Sequence, residues 1–276
     1  MYQNAKRYFI TAKELTTAEK LIEKTLSSVP QAIKSIKSGG VWLNNHRLLD
    51  ETKQIKKGET LKVYVSDTQG KYYQIESEEI KYETRDFIVV TKPSGLSTVP
   101  DRSNLYWNLS YGVQFYLESK GLSYCPQAIT RLDLMVSGLV LFPKHKAAEK
   151  EFFQLTKDRR IHKSYHADLP YFSDPPRYLR VKDKIEFKKR ACVSETGKSA
   201  HSLFILQKKT DESTRYTVIL FTGRRHQIRC HSKHYLRPIL GDLFYNSKTR
   251  QPQNKILLEA IGLNFWYKNK KYRIRL

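Results

Sequence analysis

The chain has 276 residues and a formal net charge of +23, from 50 Lys plus Arg against 27 Asp plus Glu, so it allows one large domain or a medium one with a small one. The positive excess is far beyond what solubility requires and favours a polyanionic partner; interleaved with 18 Tyr and 12 Phe it suits RNA, where cations meet phosphate and aromatic faces stack on unpaired bases. Three cysteines, Cys125, Cys192 and Cys230, exclude a closed disulfide framework, and neither MYQNAKRYF nor any later run has the apolar core of a leader or membrane span, so a cytoplasmic protein with no membrane partner is expected.

In chain order, residues 17–26 predict an amphipathic helix with Ala18, Leu21, Ile22 and Leu26 on one face. Pro30 opens a second short helix, QAIKSIKS, with Ile33 and Ile36 inward and Lys34 and Lys37 outward, and Gly39-Gly40 ends it. Residues 41–65 read as a short strand, an Asn-Asn turn, a connection and an alternating strand. Residues 66–80, polar and locally acidic, predict a linker. Residues 87–91 form a β-rich run broken by Lys92-Pro93-Ser94-Gly95, with Lys92 and Arg102 as phosphate partners.

A core helix is expected over 105–120. Helix 145–157 follows, with Ala148, Phe152, Phe153 and Leu155 on its apolar face, then a basic turn at 157–163. Residues 163–169 alternate as a strand that makes Tyr165 a core aromatic on periodicity alone. The strands 202–207 and 214–220 pair across a polar loop. Thr196-Gly197-Lys198-Ser199 lacks the upstream glycine of a phosphate loop, so nucleotide hydrolysis is a poor reading.

Two stretches concentrate polar chemistry. In AITRLDLMVSGLVLFPK, 128–144, a polar segment runs into the buried strand of Val136 and 139–142, leaving Asp133 at the lip of an apolar layer. As an ionised group there it needs a partner, from Arg131 or from TGRRHQIRCH at 222–231; the bland alternative is a loop carboxylate or helix cap. TGRRHQIRCH packs three Arg and two His into ten residues and reads as a basic loop. His226, His231 and His234 sit among cations without supporting carboxylates or thiolates, so no metal is expected.

RLDxxxSGLxLF, followed by TGRRHQIRCH and RPILGDLFY, resembles the signature of the RluA-type pseudouridine synthases, which isomerise uridine in ribosomal or transfer RNA. KPSGLSTVP at 92–100 and KSYHADL at 163–169 resemble two further blocks of that family, in its order. GGVWLNN and KKGETLKVYV after two small helices resemble an S4-like RNA-binding domain, although Pro30-Gln31 replaces the usual Ser-Arg pair. Lys34, Lys37, His46 and Arg47 would line its basic face; the alternative is a cap that binds nothing.

The resemblance implies Asp133 as the catalytic carboxylate, Arg229 as its salt-bridge partner and Tyr165 as the residue stacked on the target base, with a share in removing the proton from carbon 5. It implies Arg131 filling the space the uridine vacates, Ile228 beside the base, and Arg224, His226 and Gln227 shaping the loop or touching RNA. Thr130 stands where the family usually has His, Val136 where it has Thr, and Glu259 where His is common.

The expectation is therefore a two-domain α+β protein: an S4-like module over 1–66, a linker over 67–80, and a pseudouridine synthase domain of mainly antiparallel mixed sheet over 81–276. It would be a monomer without cofactor, acting on RNA, ribosomal RNA before transfer RNA. The alternative from another class is a noncatalytic RNA-binding or ribosome-assembly factor.

Overall fold

The computed structural model describes residues 5–26, 28–245 and 255–276; residues 1–4 of the stretch read for a leader lie outside them. The chain divides into two compact units, Met1–Ile75 with Ser97–Cys125, and Glu76–Leu96 with Pro126–Leu276. This departs from the expected partition, because the polar residues after 66 are spent on internal hydrogen bonds. Gln69 Nε2 donates to the Tyr64 carbonyl at 2.6 Å, the Gly70 amide donates to Ser38 Oγ at 2.7 Å, and Asn104 Nδ2 donates to the carbonyls of Thr68 and Lys71. No helix among the described residues is long and apolar enough to cross a membrane.

The first unit contains strands β1 (Lys6–Thr11), β2 (Thr16–Thr17), β3 (Val41–Leu43), β4 (His46–Leu48), β5 (Gln54–Ile55) and β6 (Thr60–Val65). Its helices are α1 (Ala18–Leu26), α2 (Val29–Lys37) and α3 (Leu109–Ser119). A four-stranded antiparallel sheet of order β1-β6-β3-β4 buries Ile10, Leu61, Val63, Val41 and Leu48 in one core with Ala18, Leu21, Ile22, Ala32 and Ile36 of α1 and α2. Helix α2 starts one residue earlier than expected. Ser28 caps it by accepting from the Gln31 amide, and Pro30 stands in the first turn, where a missing N–H costs nothing. The 105–120 helix forms as α3, capped by Asn108, but in this unit instead of the expected catalytic domain.

The second unit is built on β7 (Ile80–Glu83), β8 (Phe87–Lys92), β9 (Ser137–Pro143), β10 (His162–Pro170), β11 (Tyr178–Phe187), β12 (Ala191–Val193), β13 (Lys198–Lys209), β14 (Ser213–Leu220), β15 (Leu258–Tyr267) and β16 (Lys270–Arg275). Two helices accompany them, α4 (Lys146–Lys157) and α5 (Gln227–Tyr235). One sheet runs β12-β11-β13-β14-β10-β15-β9-β8-β7, with β16 added to β15, and every pairing is antiparallel except β9 with β15. The α+β class with a mainly antiparallel mixed sheet is the one expected. Phe153 departs from expectation: it is 41% exposed, so α4 buries only Ala148, Glu149 and Phe152.

The parallel seam explains the Ser-Gly-Leu of the first motif. Gly138 pairs with Ala260 at φ +115°, and a Cβ there would fall inside contact distance of the Ala260 backbone O, N and C. Gly138→Ala is expected to destabilise the unit by about 2–4 kcal/mol, from the left-handed backbone and the overpacking together. An unchanged urea midpoint would show that the seam tolerates a side chain.

Candidate active site

Asp133 lies in the turn that leads into β9, where the Val136 amide donates to the Asp133 carbonyl at 3.0 Å. The Lys-Pro-Ser-Gly segment after β8 clamps this turn. Lys92 Nζ and the Gly95 amide both donate to the Leu134 carbonyl, at 3.0 and 2.9 Å, and Ser94 Oγ donates to that of Met135 at 2.7 Å. Lys92 is fully buried and also donates to the carbonyls of Pro93 and Leu96 at 2.8 and 2.7 Å, one acceptor for each N–H of an ammonium. Burial pulls its pKa down to about 7, against the opposing pull of the Asp133 charge. The expectation that Lys92 meets RNA phosphate is therefore wrong: its side chain ties the loop after β8 to the turn that carries Asp133.

The TGRRHQIRCH block is not a basic loop. From Gln227 it is the buried helix α5, entered through His226 in the left-handed conformation at φ 55°, ψ 23°. A core holds so many polar groups because almost all find partners, His231 Nε2 being a buried exception. Gln227 Oε1 accepts from Thr222 Oγ1 and the Arg224 amide, and Nε2 donates to the His201 carbonyl and Ser202 Oγ. At 2% exposure Gln227 holds the loop through these four bonds. Ser202 Oγ also lies 3.0 Å from His231 Nδ1.

Arg229 organises the site. Its Nη1 donates to Asp133 Oδ2 at 2.8 Å, while Nε and Nη2 grip both oxygens of Asp242 at 2.7 and 2.9 Å. The guanidinium is 5% exposed and lies over the Tyr245 ring at 5.0 Å. Burial opposes the charge, but the hydrogen bonds and charges of Asp242 and then Asp133 outweigh it and raise the pKa. Asp242 is fully buried, whereas the Asp133 side chain is 25% exposed at the cleft. One arginine thus holds a structural carboxylate and an accessible one in a fixed relation.

His226 completes the ring around Asp133. Its Nε2 stands 3.5 Å from Asp133 Oδ2 and its Nδ1 3.2 Å from the Tyr245 hydroxyl, with Phe187, Phe244 and Tyr245 at the ring's edges. Burial draws its pKa down to about 4 although Asp133 pulls the other way, so the imidazole is neutral at pH 7. His231 is drawn down to about 4 by burial as well. Both are protonated in the unfolded chain below about 6.5 but not in the fold, so acid favours unfolding. The histidines' contribution to stability is expected to be full above pH 6.5 and to be lost as pH drops from 6.5 to 4, by up to about 3 kcal/mol for each histidine. Urea midpoints across that window check this; a profile unchanged by His231→Gln would remove His231 from the account.

Tyr165 on β10 is 6% exposed and belongs to the same apolar cluster as Met135, Val136, Ile228, Leu258 and Ala260. Burial, and then the Asp133 charge, raise its pKa, which keeps the phenol protonated. Asp133, Tyr165, Ile228 and Arg229 line one small cleft together with Arg131, Arg224 and His226, with about 60 Å3 of room, one or two waters' worth. Arg131 is exposed at its rim, and Arg224 Nε donates to the Ser199 carbonyl at 2.9 Å.

In the other unit, Lys34 and Lys37 are exposed on α2, with Lys37 3.6 Å from Glu51. Arg47 is not free to meet phosphate there. It stacks on Trp42 at 4.4 Å and donates to the carbonyls of Gly39 and Asp101. Sequence reasoning missed Asp242 and Tyr245. Their signal was the Gly-Asp-Leu-Phe-Tyr run, whose acid is the second partner that a buried arginine requires.

Residues 86–234 match the family described as RNA pseudouridylate synthase. The chain is 25% identical over 271 residues to ribosomal large subunit pseudouridine synthase C of Buchnera aphidicola subsp. Acyrthosiphon pisum, covering 90% of this chain and 84% of that protein. It is 32% identical over 199 residues to the dual-specificity RNA pseudouridine synthase RluA of Yersinia pestis, covering 67% and 88%. The solved structure of human RNA pseudouridylate synthase domain containing 1 shares the fold at a TM-score of 0.59 and 20% identity, over 74% of this chain and 86% of that one. The chain belongs to the RluA-type family of RNA pseudouridylate synthases.

Proposed function

We propose that Asp133 is the catalytic carboxylate of a synthase that converts uridine to pseudouridine in structured RNA, ribosomal RNA first. The observation that carries this reading is the bond from buried Arg229 to a carboxylate that is itself open to a cleft. The guanidinium fixes the direction of the carboxylate, so it orients more than it activates. A uridine swung from its stack would bring its sugar and ring to this cleft, with Arg131 filling the gap it leaves in the RNA.

Asp133 then attacks carbon 1 of the ribose or removes a sugar proton; either way the bond to nitrogen 1 breaks and the uracil stays in the pocket. The ring turns and carbon 5 bonds to carbon 1, as the Asp133 ester bond to carbon 1 breaks on the first route or the proton Asp133 took returns to the sugar on the second; the carbon 5 proton leaves while nitrogen 1 gains one, so product and substrate have the same composition. Tyr165, a neutral phenol, stacks on the base and acts in proton movement only as a relay. Ile228 packs against the same ring.

Ribosomal RNA is favoured because the relative named for the large subunit spans 90% of this chain, first unit included, whereas the dual-specificity relative spans 67%. The same reading makes residues 1–66 an S4-like RNA-binding module, and the protein a cytoplasmic monomer. Mapping pseudouridine across cellular RNA with and without the protein tests it. One or a few ribosomal uridines are expected to lose the modification. Loss only in transfer RNA reassigns the substrate, no loss anywhere removes the activity, and abasic RNA products would mean uracil release without reattachment.

A further inference from the structure

The outward face of the first unit's sheet is built of aromatic and cationic side chains in alternation. The pairing register aligns Phe9 of β1, Lys62 of β6, Trp42 of β3 and Arg47 of β4 in one row across all four strands. The neighbouring row pairs Arg7 with Tyr64, whose hydroxyl accepts from Arg102 Nη1 at 3.1 Å. The opposite parity carries Ile10, Leu61, Val63, Val41 and Leu48 into the core, so these two rows face away from it; Tyr64 is nevertheless covered, at 9% exposure, and the open part of the face is around Phe9. The outward strand positions are Arg7, Phe9, Thr11, Thr60, Lys62, Tyr64, Trp42 and Arg47, and none is acidic.

Phe9 is 57% exposed, and the Arg7 guanidinium lies 5.0 Å from its ring centroid. A large apolar ring left open on a sheet, ringed by cations and by no acid, has the chemistry of a stacking surface for a polyanion. We propose that this face binds single-stranded RNA. A base stacks on Phe9, while Arg7, Lys62 and Arg102 take the neighbouring phosphates; Trp42 Nε1 donates to the Arg102 carbonyl at 3.0 Å and so holds that residue beside the sheet. Arg47 stiffens Trp42 from behind, its N–H groups committed to the carbonyls of Gly39 and Asp101. This moves the unit's RNA contacts from the helix face of Lys34 and Lys37 to the sheet. It rests on RNA being the substrate and not on the chemistry assigned to Asp133.

The test is fluorescence anisotropy of the full chain with a labelled single-stranded 12-mer of uridylate and with a 12-base-pair RNA duplex. Phe9→Ala is expected to weaken binding to the single strand about tenfold or more, Phe9→Trp to keep it, and Phe9→Leu to behave as Phe9→Ala, because stacking needs a π face and not merely apolar area. Lys62→Ala is expected to lower the slope of log affinity against log salt by about 0.7. Phe153→Ala, an exposed phenylalanine of the other unit, serves as control and should change nothing. Retained single-strand affinity in a folded Phe9→Ala protein overturns the proposal, as does rescue by leucine, which would point to an apolar protein partner. If the synthase activity itself proves absent, the binding readout still decides this inference.

Discussion

Arg229→Met is expected to cost about 3–5 kcal/mol of stability and to abolish uridine isomerisation. The stability loss follows from Asp242, a fully buried carboxylate whose two oxygens are both held by Arg229. Removing the guanidinium strands that charge where solvation is unavailable, and Asp133 loses its donor in the same step. Arg229→Lys is not a mild change here, because a point ammonium cannot span two carboxylates that a planar fork reaches from different edges. The double variant Arg229→Met, Asp242→Leu removes both buried charges and is expected to regain much of the stability while remaining inactive. Urea midpoints and pseudouridine yield, measured on all three proteins, separate the two roles. Activity in the double variant would mean that Asp133 needs no guanidinium.

Legibility from the sequence followed how each residue's constraint is expressed. Apolar periodicity located β8, β9, α4 and β10 within a residue or two, because burial of one face is written directly into the spacing. It failed at α5, whose buried run from Gln227 to Ser232 includes Gln227, Arg229, His231 and Ser232 beside Ile228 and Cys230; polar groups this deep look like solvent until their partners, up to 96 residues away, are in place. Lys92 misled for the same reason, since three carbonyl acceptors have no sequence signature. Strand β1 went unread because Lys6 to Thr11 exposes Phe9 as well as its charges and so lacks the alternation of a half-buried strand. What joined Asp133 to Arg229 was family resemblance, not pattern; the geometry adds Asp242, Tyr245 and His226 to the same cluster.

Asp133→Asn is expected to reduce pseudouridine formation by roughly four orders of magnitude or more, the scale on which loss of a reacting group is felt in other enzymes, while RNA affinity is retained. The substitution is close to a pure chemical test. The asparagine carbonyl still accepts from Arg229 Nη1, Arg229 keeps its fork on Asp242, and the turn is held by Lys92, Ser94 and Gly95 through backbone carbonyls that the change does not touch. The urea midpoint should therefore stay close to the parent's. An amide, however, neither attacks the ribose nor takes its proton. Asp133→Glu keeps the charge but moves it by one methylene, and is expected to lose about a hundredfold through misplacement alone. The order Asp, then Glu, then Asn identifies a carboxylate acting at a defined position. Equal rates for Asp and Asn would leave a protein that holds RNA and does no chemistry at this cleft, and the reaction would have to be sought elsewhere in the second unit.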